Sequence, residues 1–213
     1  MKAFRTLGLW AALGLSACGS SESLDADALW ARIGIGQSEE FVSRYLALIK
    51  SGAPALQIGF PDTPSGGGLL LLERQSDEFQ YWLSAEGAQV IFQNGMLHGL
   101  RGFGEGLLAS ELTEPLTFVR TFKPGISDRF HTYLDGNDRA VTRTYRCVFE
   151  DKGVQKIVLG SAQVPARLMT EQCRNLDQQF ENFYWMHPVR RTILLSRQWA
   201  GPHLGALSTR VVW

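Results

Sequence analysis

Cysteine and histidine are the residues best able to do chemistry in this chain, which has three of the first and four of the second. Cys18 ends the segment Leu15-Ser16-Ala17-Cys18, behind Lys2, Arg5 and an uncharged, mostly apolar run from Leu7 to Ala17. At 11 residues that run is about half of the ~20 that span a bilayer. A short positive start, a short apolar stretch and small residues before a cut describe a secretory signal peptide, residues 1–17, which is removed. With cysteine directly after Leu-Ser-Ala the segment also reads as a bacterial lipobox, in which the thiol is diacylated and Cys18 becomes the new N-terminus. Three acyl chains on one residue, at ~0.8 kcal/mol per buried methylene, make a durable membrane anchor. Small polar residues follow as far as Ser23, as a tether (residues 18–23) between lipid and domain should. Gly19 stands where an aspartate would favour retention in the inner membrane, so the expected site is the outer membrane, facing the periplasm.

Cys147 and Cys173 remain. In an exported chain an even pair predicts a disulfide, here closing a loop worth ~3–4 kcal/mol in the chain-entropy model; two separate buried thiols are the alternative. His98, His131, His187 and His203 stand at no metal-ligand spacing with another His, Cys or carboxylate, so no zinc site and no cofactor is indicated. A GxSxG elbow is missing. Asp135, Asp138 and Glu150 could supply a glycosidase pair, but they fall around a turn and on a face expected to be exposed, where solvated charge is the default. GLRGFGEG, residues 99–106, does not fit GxGxxG and lacks a following Lys-Ser/Thr pair, so it reads as a glycine-rich bend. No catalytic set emerges.

The aromatics carry more. Tyr81, Trp82, Tyr184, Trp185 and Trp199 fall on candidate strands, with Arg101, Arg190, Arg191 and Arg197 near them in sequence. Flat aromatic faces and guanidinium forks hold sugar rings, acidic polysaccharides or protein hot spots. Trp82, Arg101, Trp185, Arg197 and Trp199 are therefore the candidate binding surface, with core packing as the competing use of the large rings.

The elements that would position these residues are mostly strands. Beyond residue 17 the chain has 196 residues and, without Lys2 and Arg5, a formal charge of −2. That is enough chain for one good core in a single domain over residues 24–213. Near-neutral charge with no basic stripe argues against nucleic acid, and 45% hydrophobic against 20% charged residues argues against disorder. Two helices come first, Leu24–Ile33 and Glu39–Lys50, the second N-capped by Ser38 and placing Phe41, Tyr45, Leu48 and Ile49 on the core side. Thereafter strands are expected at 55–60, 69–74, 79–85, 89–93, 96–101, 116–122, 129–134, 141–150, 154–159, 166–169, 180–186 and 192–199. Asn94-Gly95, Asp135-Gly136 and Lys152-Gly153 signal hairpin turns, and 61–68 reads as a long loop. The fold class is mainly β: an antiparallel sandwich or partly open barrel with one or two N-terminal helices.

Three stretches together resemble a known family. YWLSAEGAQVIFQNGMLHGLRGFGEGLLAS (81–110) has a Trp strand, a Gly-centred hairpin and an Arg-Gly-x-Gly turn; FHTYLDGNDRAVTRTYRCVF (130–149) has a Leu-Asp-Gly turn leading to a Cys-bearing strand. EQCRNLDQQFENFYWMHPVRRTILLSRQWAGPHLG (171–205) carries Cys, Asn-x-Tyr-Trp and Ser-x-Gln-Trp signatures. With the lipobox, these are similar to the YjbF/GfcB family of bacterial outer-membrane lipoproteins, from about residue 40 to the C-terminus. Departures are His187-Pro188-Val189-Arg190-Arg191 where the family has an Asp-x-x-Gly-type turn, Leu100 where it commonly has Thr, and Glu105 where Asp or Gly is usual.

The resemblance implies a β lipoprotein encoded with capsule or exopolysaccharide secretion genes, assisting polymer production or export without enzymatic activity. It assigns lipidation to Cys18 and the pairing to Cys147 and Cys173. The expected partners are the membrane and either a polysaccharide or a secretion component. A polysaccharide hydrolase or lyase would instead need a carboxylate set facing a cleft, and a lipid-carrying half-barrel would need a large continuous apolar cavity.

Overall fold

A computed structural model describes residues 37–212 except 63–65, 105, 136 and 138; the signal segment, Cys18, the tether and the helix expected at Leu24–Ile33 lie outside the described residues. The described chain opens on helix α1 (Gln37–Lys50). Six strands follow: β1 (Ala55–Gly59), β2 (Gly67–Ser76), β3 (Phe79–Leu83), β4 (Gln89–Gln93), β5 (Met96–Arg101) and β6 (Leu107–Ser110). Helix α2 (Thr113–Thr121) separates them from β7 (Gly125–Leu134), β8 (Ala140–Leu159), β9 (Ala162–Arg174), β10 (Gln179–Met186), β11 (Ile193–Gly201) and β12 (Gly205–Val211).

Apart from β5 and β6, each strand pairs antiparallel with its neighbour in sequence, and β12 returns to pair with β1 through Leu56 opposite Val211. The twelve strands thus form one up-and-down meander, a nearly closed barrel-like sheet whose two edges are β5 and β6. Those edges meet without a ladder. Gly99 lies so close to β6 that a Cβ there would stand 2.6 Å from the Leu108 carbonyl oxygen, which only glycine permits. Beside it His98 donates from Nδ1 to the Ser110 carbonyl at 2.9 Å. Closure of this kind leaves little edge exposed for strand addition.

Strand order fixes which turns share an end. The β2–β3, β4–β5, β8–β9 and β10–β11 turns and α2 all lie at one end, which we call the α2 end. Helix α1 packs through half-buried Phe41, Tyr45 and Leu48; Tyr45 donates to the Leu69 carbonyl at 2.9 Å and Arg44 pairs with Glu73. Ile49, expected on the core side, is exposed.

Two expected elements differ, and two strands have no expected counterpart. Residues 116–121 are helix, not strand. Glu111 accepts from the Thr113 N–H and hydroxyl, Pro115 sits in the first turn, and Phe122 ends α2 in a left-handed conformation. Leu116 and Val119 are buried at helical spacing, a period hidden within the β-rich run Leu-Thr-Phe-Val. Lys152-Gly153 is not a hairpin turn. β8 runs through it with a bulge, Asp151 opposite Met169 but Val154 opposite Arg167, and the turn falls at Gly160-Ser161. Gly153, with φ at 80°, donates to Asp151 Oδ1 at 2.9 Å to hold the bulge. β6 and β12 were not anticipated as strands.

The bulge reverses the sidedness of β8. Tyr145, Cys147 and Phe149 face the interior with Met169 and Tyr184, whereas Ile157 and Leu159 pack with Ala166, Leu194 and half-buried Trp185. Two interior clusters fill the described barrel. One joins α2 to β8–β10, and the other joins β1–β5 to Leu207 and Ala200.

Candidate functional site

The β10–β11 turn is built on His187. Its Nδ1 accepts from the backbone N–H of Val189 at 3.2 Å and of Arg190 at 3.1 Å, while the His187 backbone N–H donates to the Thr192 carbonyl at 2.8 Å. The ring thereby pins the turn that carries Arg190 and Arg191. Arg191, at φ 56°, donates from Nη1 to the Arg120 carbonyl at 2.6 Å. Its guanidinium also lies 4.7 Å from the centre of the Phe122 ring, which Arg167 approaches to 4.9 Å.

Between this turn and the β2–β3 and β4–β5 turns a cleft of about 550 Å³ opens at the α2 end of the barrel. Trp82 and Phe92 give it a buried aromatic lining. Gln75, Gln80 and Asn94 add amides, and Asp77 and Glu78 add carboxylates. Arg120, Arg190 and Arg191 bring guanidiniums. Glu78 accepts from Gln93 Nε2 at 2.8 Å, which steadies the acidic turn. The Trp82 indole N–H, buried in a residue only 8% exposed, has no hydrogen-bond partner. A buried donor left unpaired is costly. Flat rings with amide, carboxylate and guanidinium groups match the apolar faces and paired hydroxyls of sugars.

Beneath the cleft Gln198 ties the two halves of the barrel. Its Oε1 accepts from the Leu97 N–H at 2.7 Å and its Nε2 donates to the Gly95 carbonyl at 3.1 Å. Nε2 also reaches Ser196 Oγ at 2.9 Å, which pairs with Thr209 at 2.6 Å in the cleft lining. Deeper still, Arg129 Nη1 donates to Glu171 at 3.1 Å, both side chains buried. Tyr184 and Asn182 donate to Glu171 Oε2 at 2.7 and 2.8 Å. Burial raises the Tyr184 phenol well above its ordinary value, with the Glu171 charge adding to it. Burial opposes the Arg129 charge most strongly, but Glu171, Tyr184 and Tyr133 together outweigh it and the guanidinium holds its proton more tightly than usual. Arg129 Nε donates to His131 Nε2 at 3.0 Å, so the imidazole is neutral, with Nδ1–H toward Tyr133 at 2.9 Å. Burial, then the Arg129 charge, lowers the His131 pKa well below 6.5. This deeper network is buried, and none of its members lines the cleft.

Cys147 and Cys173 are bridged, on paired positions of β8 and β9. The Glu171 carboxylate lies beside them, but disulfide sulfurs are not thiolates, so the trio is no metal site. Asp135 accepts from the Asn137 and Arg139 N–H groups within the β7–β8 turn, and Glu150 pairs with Lys152. Asp138 lies outside the described residues.

The five candidate surface residues do not converge. Trp82 is buried and lines the cleft. Trp199 packs inward, its ring stacked on Phe180 at 5.3 Å. Arg101 is exposed at the opposite end of β5, where it pairs with Gln89. Trp185 and Arg197 share the outer face: Trp185 stacks with Phe183 at 5.9 Å, and Arg197 sits opposite Phe183, 3.7 Å from Asp62. Sequence reasoning noted Arg190 and Arg191 but missed Arg120 and the amides, whose only signal was their position at turns or at a helix end.

No helix among the described residues is long and apolar enough to cross a membrane. No curated protein matches the chain significantly. The crystal structure of the hypothetical lipoprotein YmcC from Escherichia coli (K12) is similar in fold, with a TM-score of 0.65 and 17% identity over 74% of this chain and 85% of that one. The profile of YjbF, the group 4 capsule polysaccharide lipoprotein GfcB, matches residues 47–212, which takes in every strand and the whole cleft. On that match the chain belongs to the YjbF family of capsule polysaccharide lipoproteins.

Proposed function

We propose that this protein is a lipid-anchored accessory of capsule or exopolysaccharide production and export, binding polysaccharide in the cleft at the α2 end. The observation that carries the reading is the lining of that cleft: the buried rings of Trp82 and Phe92 together with amides and guanidiniums. In this reading Cys18 is acylated and holds the domain at the periplasmic face of the outer membrane, and no bond is made or broken in the cleft. Asp135 and Glu150 are engaged in a turn and an outer-face ion pair and do not line the cleft, whose own carboxylates, Asp77 and Glu78, are neighbours on one turn. The outward Phe183–Trp185 pair beside Arg197 favours a secretion component as a second partner, because aromatic and Arg side chains dominate protein hot spots.

Two assays test the reading. A Cys18→Ser variant should leave the membrane fraction and fail to take up a palmitate analogue; a variant still lipidated and membrane-bound would end the anchoring claim. The acyl-free chain should retain capsular polysaccharide on a surface. Equal retention by Trp82→Ala, with its fold intact by circular dichroism, would remove the cleft from the account.

A further inference from the structure

The cleft does not end at Arg120. A second cavity of about 360 Å³ adjoins it, and the two share Glu78, Asn94 and Arg120. The second runs along α2, where Thr113, Thr117 and Thr121 repeat every four residues down one face. Thr117 donates its hydroxyl to the Thr113 carbonyl at 3.0 Å, and Thr121 donates to the Thr117 carbonyl at 2.6 Å. With their protons committed to the helix, these hydroxyls offer acceptor lone pairs outward. Each cavity alone is the size of a small-ligand site, about 300–1,000 Å³. Two in series make a groove for an extended molecule.

We infer that the cleft and the α2 groove form one continuous site for a linear acidic polysaccharide, with Arg120 at the waist reading the carboxylates of the chain. The inference rests on the polysaccharide-binding reading above and adds the charge and the length of the ligand. Aromatic lining, amides and Thr acceptors suit hydroxyl-bearing rings in either cavity. A carboxylate on such a ring suits the Arg120 guanidinium, which borders both cavities. Arg120 borders both cavities, and Arg191 is fixed next to it by its bond to the Arg120 carbonyl and its stacking on Phe122. The acidic groups of the cleft, Asp77 and Glu78, share the β2–β3 turn, whereas the guanidiniums come from α2 and the β10–β11 turn. The guanidiniums are therefore grouped on the α2 and β10–β11 side, with Glu78 of the β2–β3 turn also bordering the waist. A guanidinium fork pairs with a carboxylate through two parallel hydrogen bonds, which lysine cannot match in geometry.

The test uses capsular polysaccharide extracted from the source strain, before and after carbodiimide–borohydride reduction of its carboxyl groups. Binding by the acyl-free chain is measured for the parent, Arg120→Gln, Arg120→Lys and, as an outer-face control, Arg146→Gln. Thermal melting confirms that each variant folds. The expected result is that Arg120→Gln weakens binding of the native polymer about tenfold, the scale of one charge-assisted contact. Reducing the carboxyl groups should weaken the parent by a similar factor, Arg120→Lys should recover part of the loss, and Arg146→Gln should match the parent. If the reduced polymer binds the parent as well as the native one, or Arg120→Gln weakens both alike, the acidic-ligand inference is overturned while polysaccharide binding stands. If neither polymer binds, the underlying reading fails and takes this inference with it.

Discussion

Arg191 Nη1 donates to the backbone carbonyl of Arg120 at 2.6 Å, joining the last turn of α2 to the β10–β11 turn across 71 residues of sequence. The bond closes one wall of the cleft. A helix C-terminus is rich in unpaired carbonyls and carries partial negative charge, so a guanidinium is well matched to it.

Arg191→Ala removes that bond and the stacking on Phe122. We expect a loss of about 1 kcal/mol, read as a fall in Tm of about 2–4 °C for a domain of this size. Capsular polysaccharide binding should weaken together with stability. Calorimetry and binding on the same preparation check both, and an unchanged Tm with unchanged affinity would show the latch to be idle.

Glu171→Ala leaves Arg129 charged and unpaired inside the barrel. Breaking one side of such a pair costs about 3–5 kcal/mol, whereas replacing both partners with apolar residues of similar volume costs far less. Urea denaturation should therefore place Glu171→Ala below the double variant Arg129→Met/Glu171→Leu. The reverse order would mean that the pair is not isolated from water.

His131 sets a pH dependence. It is neutral in the fold with its pKa pushed well below 6.5, while the unfolded chain protonates it near 6.5. Above that pH the two states bind the same number of protons at this site and its stability contribution is whole. As pH falls through 6.5 the unfolded chain takes up a proton that the folded one refuses, and stability drops by up to about 1.4 kcal/mol per pH unit. Urea melts from pH 7.5 to 5.0 should show a shallower decline for His131→Gln, which keeps an acceptor for Arg129. Parallel curves for parent and variant would contradict the assignment.

Cys147 and Cys173 close a loop with a sequence separation of 26. Replacing both with alanine should cost about 3–4 kcal/mol in denaturant midpoint analysis. Because the bridge is buried, mild reductant should leave the folded protein oxidised and act only once urea opens it.

Much of the barrel was legible because period-two alternation survives in strands with one face inside. Val141 to Phe149 reads as a strand because Tyr145, Cys147 and Phe149 must all turn inward. Asn94-Gly95 forms the expected hairpin for the equally local reason that both residues tolerate positive φ, 50° and 86° here. The failures are places where tertiary structure overrides local preference. Leu116 to Phe122 has strand-like composition but is held as helix by Glu111 and by packing against Phe149. Gly153 marks a bulge instead of a turn because β9 continues past it, a fact no local window contains. β6 is four residues long, too short for a pattern, and is fixed by Gly99 and His98 across the edge. At the site, Trp82 and the two arginines of the β10–β11 turn were visible as residue types. Their meeting with Arg120 depends on strand order, and so does the separation of Trp185 and Arg197 onto the outer face.

Hydrogen exchange of the acyl-free chain with and without capsular polysaccharide tests the central claim most directly. The account predicts slowed exchange at the backbone amides of 77–80, 94–95 and 190–193, which border the cleft, with no change at 183–185 and 197 on the outer face. Protection confined to the outer face, or none at saturating polymer, would contradict it.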